Sequence, residues 1–133
     1  MPPHYADDPL PDDTVLWRAI NPRHIKPDGT VSSAAYSTDG LSVYVLAETT
    51  AAALTAKFPG WPFQAFAAKI ARDADCIIVK VRDADGDESH REIRRAKDPD
   101  AQLRKEAYKI RDAAKWVNHD DVPAPPAPPT PAS

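Results

Sequence analysis

The chain has 133 residues, a formal net charge of −3 and a single cysteine, Cys76. This length suits one domain with tails, and the slight negative charge gives the whole chain no electrostatic attraction to nucleic acid or anionic membranes. One cysteine excludes an internal disulfide and a multi-cysteine zinc site. No apolar run approaches the roughly 20 residues of a membrane span, and the N-terminus lacks signal-peptide features, so we expect a cytoplasmic protein without a membrane part.

The two ends of the chain differ in composition from its middle. Residues 1–13 are acidic and Pro-rich, which predicts a flexible N-terminal tail. The C-terminal PAPPAPPTPAS favours extended polyproline II, so residues 121–133 are predicted to be a disordered Pro-rich tail. A single domain is expected over residues 14–120.

The first half of the domain contains two predicted strands and two turns. Residues 15–20, VLWRAI, predict a short strand in which Arg18 is the one charge. Asp28-Gly29 and Asp39-Gly40 are turn dipeptides. After the second turn, residues 41–47 alternate apolar and polar positions, as a half-buried strand does.

A hydroxyl-rich segment, residues 31–37, lies between the two turns and is too small in bulk for a core strand. We expect it beside a sheet edge. It then presents a set of hydroxyl groups: Ser32, Ser33, Tyr36 and Ser37. These hydroxyls either satisfy local backbone groups in an irregular loop or face a ligand.

The next elements are predicted to be two helices and a strand. Thr49 or Thr50 caps a helix through residues 51–58. A second helix is expected from Trp61-Pro62, with an apolar stripe at helical spacing: Phe63, Phe66, Ala67 and Ile70. The apolar run CIIVKV, residues 76–81, is the best candidate for a central strand, and Cys76 is expected to be buried there rather than catalytic.

The clearest helix is predicted near the end of the domain. Residues 89–97 are expected to form either a strand or an exposed helical turn. Asp98 then caps a helix with Pro99 at its first position. Its buried stripe is Leu103, Ala107, Ile110, Ala114 and Val117, and its opposite face is basic, with Arg104, Lys105, Lys109, Arg111 and Lys115. The predicted fold is therefore α+β, a small mixed or antiparallel sheet of three to four strands with two to three helices packed on it.

No metal or common catalytic motif is evident in the sequence. The four histidines are scattered and form no pair with each other or with Cys76. The acidic run DADGDE, residues 83–88, lacks the spacing of an EF-hand loop. Serine hydrolase, P-loop and dinucleotide-binding motifs are missing, so we predict no metal site.

Two weak resemblances to known proteins can be stated. The segments LWRAI and YVLAETTAAAL resemble the strand-to-helix pattern of RES-domain and ADP-ribosyltransferase-like proteins. That resemblance implies NAD as cofactor, a catalytic Glu48, and ligand binding by Arg18, Ser33, Tyr36 and Tyr44. The whole run from LWRAI to the closing KWV also resembles small, uncharacterised bacterial proteins of one domain, which implies no activity.

Three functional hypotheses follow from the sequence. The favoured one is a protein-interaction or accessory domain without a cofactor, whose surface includes Arg94, Arg95, Arg104, Lys105 and Arg111. The first alternative is an NAD-utilising transferase or glycohydrolase that uses the residues of the resemblance. The second is nucleic-acid binding through the basic cluster, which the acidic chain around it disfavours. A solvated helical face explains that cluster equally well.

Overall fold

The computed structural model describes residues 5–81 and 86–125, and these residues build one antiparallel sheet. Its strands, in chain order, are β1 (Val15–Ala19), β2 (Leu41–Val45), β3 (Phe63–Ala67), β4 (Cys76–Lys80), β5 (His90–Arg95) and β6 (Lys115–Trp116). The helices are α1 (Ala51–Lys57), α2 (Ala68–Asp73) and α3 (Lys105–Ala113). Short 3₁₀ turns occupy Pro22–His24, Ser33–Ala35 and Leu46–Glu48. The spatial order of the strands is β4-β5-β2-β1-β3-β6.

The α+β prediction is confirmed, and of the two sheet types predicted the antiparallel one is found. The number of strands was wrong, because the described residues form six strands rather than three to four. The two missed strands, β3 and β6, extend the sheet beyond β1 on the same side. Pairing with a distant segment defines both of them, and local sequence patterns do not report such pairing.

Helices cover both faces of the sheet, and each face has its own core. The larger core lies between the sheet and helices α2 and α3, and its members include Leu16, Val43, Phe66, Ile78, Ile93, Ala71, Leu103, Ala107 and Ile110. The smaller core lies under α1 and comprises Trp17, Ala19, Tyr44, Ala51, Leu54, Phe63, Val117 and Val122. Alternate residues of one strand therefore serve different cores, as the two-residue period of a strand requires.

The helix predicted from Trp61 is a strand over its apolar residues. Phe63 and Phe66 are three positions apart, a spacing that places them on one side of a helix but on opposite faces of a strand. In the structure Phe63 packs on Trp17, with 5.6 Å between ring centroids, whereas Phe66 joins the other core. Pairing of β3 along the whole of β1 decides in favour of the strand.

The last helix begins later and ends earlier than predicted. Residues 98–104 are not helical, because their backbone groups bond elsewhere: the carbonyl of Pro99 accepts from Arg94, and the N–H of Leu103 donates to the carbonyl of Thr38. The buried stripe of α3 is confirmed at Leu103, Ala107 and Ile110. After Ala113 the chain extends and pairs with β3 as β6.

Strand β4, predicted to be central, lies at an edge of the sheet. Its outer side is covered by the N-terminal segment. The N–H of Asp8 donates to the carbonyl of Ile78 at 2.7 Å, and the N–H of Ile78 donates to the carboxylate of Asp7 at 2.9 Å. Covering an edge in this way removes backbone groups that would otherwise pair with another chain.

A buried arginine joins three parts of the chain at the β5 end of the sheet. The side chain of Arg91 is 2% exposed, and its Nε donates to Asp8 at 2.8 Å while Nη2 donates to Glu48 at 2.8 Å. Nη1 donates to the carbonyl of Glu88 at 2.7 Å. Arg72 makes a second set of contacts to the same N-terminal segment, including Asp7 and Asp12.

The chain ends contain both described and undescribed parts of the predicted tails. Residues 5–13 of the predicted N-terminal tail make the contacts given above. Of the Pro-rich segment, Val122 is buried in the smaller core and the carbonyl of Asp121 accepts from Thr55, whereas residues 126–133 lie outside the described part. Within the described residues, no helix is long and apolar enough to cross a membrane.

We expect Asp8→Asn to lower the free energy of unfolding by about 2 kcal/mol, because it weakens a charge-assisted bond to a buried guanidinium. Denaturant unfolding monitored by tryptophan fluorescence measures the change. Asp13→Asn is the matched control, since Asp13 is exposed in the same segment and loses the same charge. Equal stability of the two variants would show that the N-terminal segment contributes nothing through Asp8.

Candidate functional site

The candidate site is a cleft of about 600 Å³ at the β6 end of the sheet. The segment 26–31 forms one wall, and the C-terminal end of α3 with β6 forms the other. Its lining residues are Lys26, Gly29, Thr30, Val31, Gln64, Arg111, Asp112, Ala114, Lys115 and Trp116. A volume of this size is typical of small-molecule sites.

Gln64 places a buried amide in the cleft. The residue is 5% exposed and lies on β3 opposite Arg18 of β1 and Trp116 of β6. Its Oε1 accepts a 2.6 Å hydrogen bond from the hydroxyl of Tyr36. Its Nε2 has no hydrogen-bond partner among the described residues. No fully buried side-chain nitrogen or oxygen in that part of the chain lacks a partner, so Nε2 must reach the open space of the cleft.

Arg18 and Tyr36 support this amide from behind. The guanidinium of Arg18 donates to the carbonyl of Ala35 from Nη2 at 2.8 Å and to the carbonyl of Ser42 from Nη1 at 3.0 Å. These bonds fix the backbone next to Tyr36. Burial raises the pKa of Tyr36 far above its ordinary value, so the phenol stays protonated and donates to Gln64. Burial also lowers the pKa of Arg18.

The charges around the cleft are mainly positive. Arg111 is partly neutralised by Asp112, whose carboxylate lies 3.1 Å from its guanidinium. Lys26 and Lys115 are exposed on opposite walls, and neither has an ion-pair partner among the described residues. The carbonyl end of α3 contributes a partial negative charge of about half a unit. The two lysines outweigh it.

The ligand residues implied by the resemblance are not gathered in one place. Arg18 and Tyr36 share the face of the sheet that holds Gln64. Tyr44 lies on the other face, stacked on His90 with 5.1 Å between ring centroids. Glu48 is bound to Arg91, and Ser33 lies in a 3₁₀ turn.

The residues of the predicted interaction surface fall into two groups. Arg94 is held by Glu92 and the carbonyl of Pro99 and is stacked on Tyr5, and Arg95 is paired with Glu106 at 3.3 Å. The other group belongs to the exposed side of α3 and the residue before it. Its members from the prediction are Arg104, Lys105 and Arg111.

Sequence reasoning missed Gln64, Trp116, Lys26 and Lys115 as site residues. Gln64 is the one polar residue in FQAFA, a segment that was predicted to be helical. With a strand period, its position beside Phe66 on the larger core would have marked it as a buried polar group that needs a partner. Trp116 was placed on a helix that ends earlier.

Nucleophile and metal chemistry receive little support from the described residues. Ser42 Oγ lies 3.0 Å from His90 Nε2, but His90 is almost wholly buried in the aromatic stack with Tyr44. Burial, assisted by the nearby carboxylates of Glu106 and Asp75, raises the pKa of Cys76 to about 12. No group of three or more acidic, histidine or cysteine side chains within 5–81 and 86–125 is arranged to hold a metal.

Comparisons with known proteins add no identification, because no protein-family model matches the chain and neither a curated protein nor a solved structure matches it significantly.

Cys76 should resist alkylation in the folded protein, because a buried thiol with a raised pKa is protonated at neutral pH. Mass spectrometry after iodoacetamide treatment at pH 7 is expected to find little adduct in the native protein and full modification in denaturant. Rapid native labelling would indicate an accessible thiolate and would revive the catalytic-thiol interpretation.

Glu106 should contribute to stability in a pH-dependent manner. Burial acts to raise its pKa, but the backbone N–H groups of Arg104 and of Glu106 itself, together with the charges of Arg95 and Lys105, outweigh burial and lower it. A lowered folded pKa means that the stabilisation is complete above the unfolded pKa, near 4.5, and is lost as the pH falls through the folded pKa.

Glu106→Gln is therefore expected to destabilise the protein at neutral pH by about 1 kcal/mol, the size of a lost helix cap, and to reduce the acid-side dependence of stability on pH. Denaturant unfolding across an acidic pH series measures both effects. Glu88→Gln is the control, because that side chain is 79% exposed. Identical acid-side slopes for the two variants would contradict the assignment.

Proposed function

We propose that this protein is a non-catalytic accessory domain that binds an acidic segment of a partner protein on the outer face of α3. The single observation that carries the proposal is the exposed ring of Tyr108 within a basic helical surface. The ring is 52% exposed, and the guanidinium of Arg111 lies over it at 5.1 Å from the centroid. Tyrosine and arginine are the side chains most enriched at the energetic centres of protein interfaces.

The charges around Tyr108 define the kind of partner. Arg104, Lys105 and Lys109 are exposed, and they lie four, three and one positions from Tyr108 along the chain, so Arg104 and Lys105 are its helical neighbours. Among the exposed residues of this surface only Asp112 is acidic. A partner segment with carboxylates around an apolar residue complements such a surface in both charge and hydrophobicity.

The internal bonding of the candidate catalytic side chains supports a binding role over chemistry. Arg18 uses its guanidinium on two backbone carbonyls, Glu48 is paired with Arg91, and the Tyr36 hydroxyl is bonded to Gln64. A catalytic group needs freedom to contact the reacting atoms. These three contribute to the fold instead.

An acidic protein fits the surface better than a nucleic acid does. Arg91 is buried, and Arg94 and Arg95 are paired with carboxylates, so three members of the basic cluster offer reduced positive charge to phosphates. The chain as a whole carries a net charge of −3. Nucleic acid would therefore meet a local basic helix on an acidic protein.

The test places a photo-crosslinking amino acid at position 108 in cells, with position 15 as the matched control, since Val15 is the other large apolar side chain exposed among the described residues, at 43%. A protein attached at 108 but not at 15 is then purified and its affinity measured. We expect Tyr108→Ala to weaken this binding about tenfold. Lys105→Gln/Lys109→Gln should weaken it more at low than at high salt.

Lys69→Gln/Lys97→Gln removes the same charge elsewhere and should leave the affinity unchanged. The proposal is overturned if positions 108 and 15 capture the same proteins, if the captured molecule is a nucleic acid, or if the charge control weakens binding as much as the α3 variant does.

A further inference from the structure

We propose that the cleft bounded by segment 26–31, Gln64, Trp116 and the end of α3 binds a small aromatic anion, a planar ring that carries a phosphate or a carboxylate. This site is separate in its contacts from the exposed ring of Tyr108, and the inference does not depend on the proposed protein partner. The observations that lead to it are an unpartnered buried amide, two unpaired lysines and an indole that line one space.

The amide of Gln64 selects for a hydrogen-bond acceptor. Because Tyr36 donates to Oε1 at 2.6 Å, the orientation of the amide is fixed and Nε2 is left with its two N–H groups. A buried donor without a partner is destabilising, and this one belongs to a residue that is 95% buried, being 5% exposed. An acceptor oxygen of a ligand would satisfy it.

The charges of the cleft select for a negative ligand. Lys26 and Lys115 stand on its two walls without ion-pair partners among the described residues, and Arg111 adds a guanidinium whose charge Asp112 reduces. Two ammonium groups across one cleft attract a phosphate or carboxylate and repel a cation. The acceptor oxygens that suit Gln64 are the groups that suit these lysines.

The aromatic part of the ligand is inferred from Trp116 and the shape of the site. Trp116 is half-buried and is paired with Gln64 across β3 and β6, so its indole stands next to the amide on the same side of the sheet. Val31 and Ala114 add apolar surface. A bare inorganic anion would leave most of a cleft of about 600 Å³ unfilled, whereas a ring-bearing anion of nucleotide size would fill it.

The inferred site is supported by residues whose roles are indirect. Tyr36 orients the amide, and Arg18 holds the backbone beside Tyr36 through Ala35. Both are positioning residues, since neither is among the residues that line the cleft. Their burial explains why two side chains with the character of ligand-binding residues face inward.

The experiment is an NMR titration of the full chain at low salt, observing the side-chain amide of Gln64 and the indole N–H of Trp116. AMP supplies a ring with a phosphate, and 1-naphthoate supplies a ring with a carboxylate. Adenosine and inorganic phosphate supply the ring and the anion separately. We expect saturable shifts of both signals at low millimolar AMP or naphthoate, with adenosine and phosphate each binding at least about fivefold more weakly.

Lys26→Gln/Lys115→Gln is expected to weaken binding of the responding probe about fivefold or more at low salt, and less at high salt. Lys69→Gln/Lys97→Gln, two exposed lysines that do not line the cleft, should change it less than twofold. Because all four side chains are exposed, both variants are expected to fold, and their amide spectra check this directly.

Each outcome decides the proposal. A response to AMP alone assigns a phosphate and a response to naphthoate alone assigns a carboxylate, and both support it. Absence of shifts at Gln64 and Trp116 with both probes overturns it. So does equal binding of inorganic phosphate and AMP, or an equal effect of the two double variants.

Discussion

The structure depends on the burial of one guanidinium, that of Arg91. A cation removed from water costs several kcal/mol unless its hydrogen bonds are replaced. Here two carboxylates, those of Asp8 and Glu48, and the carbonyl of Glu88 replace them. These acceptors come from the N-terminal segment, the turn after β2 and the loop before β5. The requirement to satisfy one side chain therefore ties the edge of the sheet to its centre and holds the N-terminal segment along β4.

The same rule explains why the charged residues that look functional in the sequence are largely structural. Arg18 interrupts an apolar strand and is satisfied by the carbonyls of Ala35 and Ser42. In doing so it fixes the irregular segment that follows the first turn. Glu48 follows a strand and appears free in the sequence, yet it neutralises Arg91. An ionisable residue in an apolar run indicates a buried partner as readily as it indicates a ligand.

Elements with strong local signals were predictable, and elements defined by distant pairing were not. The alternation that follows Asp39-Gly40 gave strand β2, and Thr50 caps α1 through the N–H of Ala53, as its position predicted. The segment after Trp61 satisfies a helical stripe and a strand equally well, and pairing with β1 decides between them. Gln64 was missed for the same reason: its burial, its bond to Tyr36 and its place in the cleft all follow from the strand.

The two proposed binding regions share one side chain. Arg111 lines the cleft, lies 3.1 Å from Asp112 and covers the ring of Tyr108. An anion in the cleft would compete with Asp112 for this guanidinium, and any movement toward the ligand would uncover more of the ring. If both regions bind as proposed, their affinities must therefore be coupled through Arg111, and the coupling must be equal in both directions. The short helix α3 would then report the state of the cleft to the partner on its outer face.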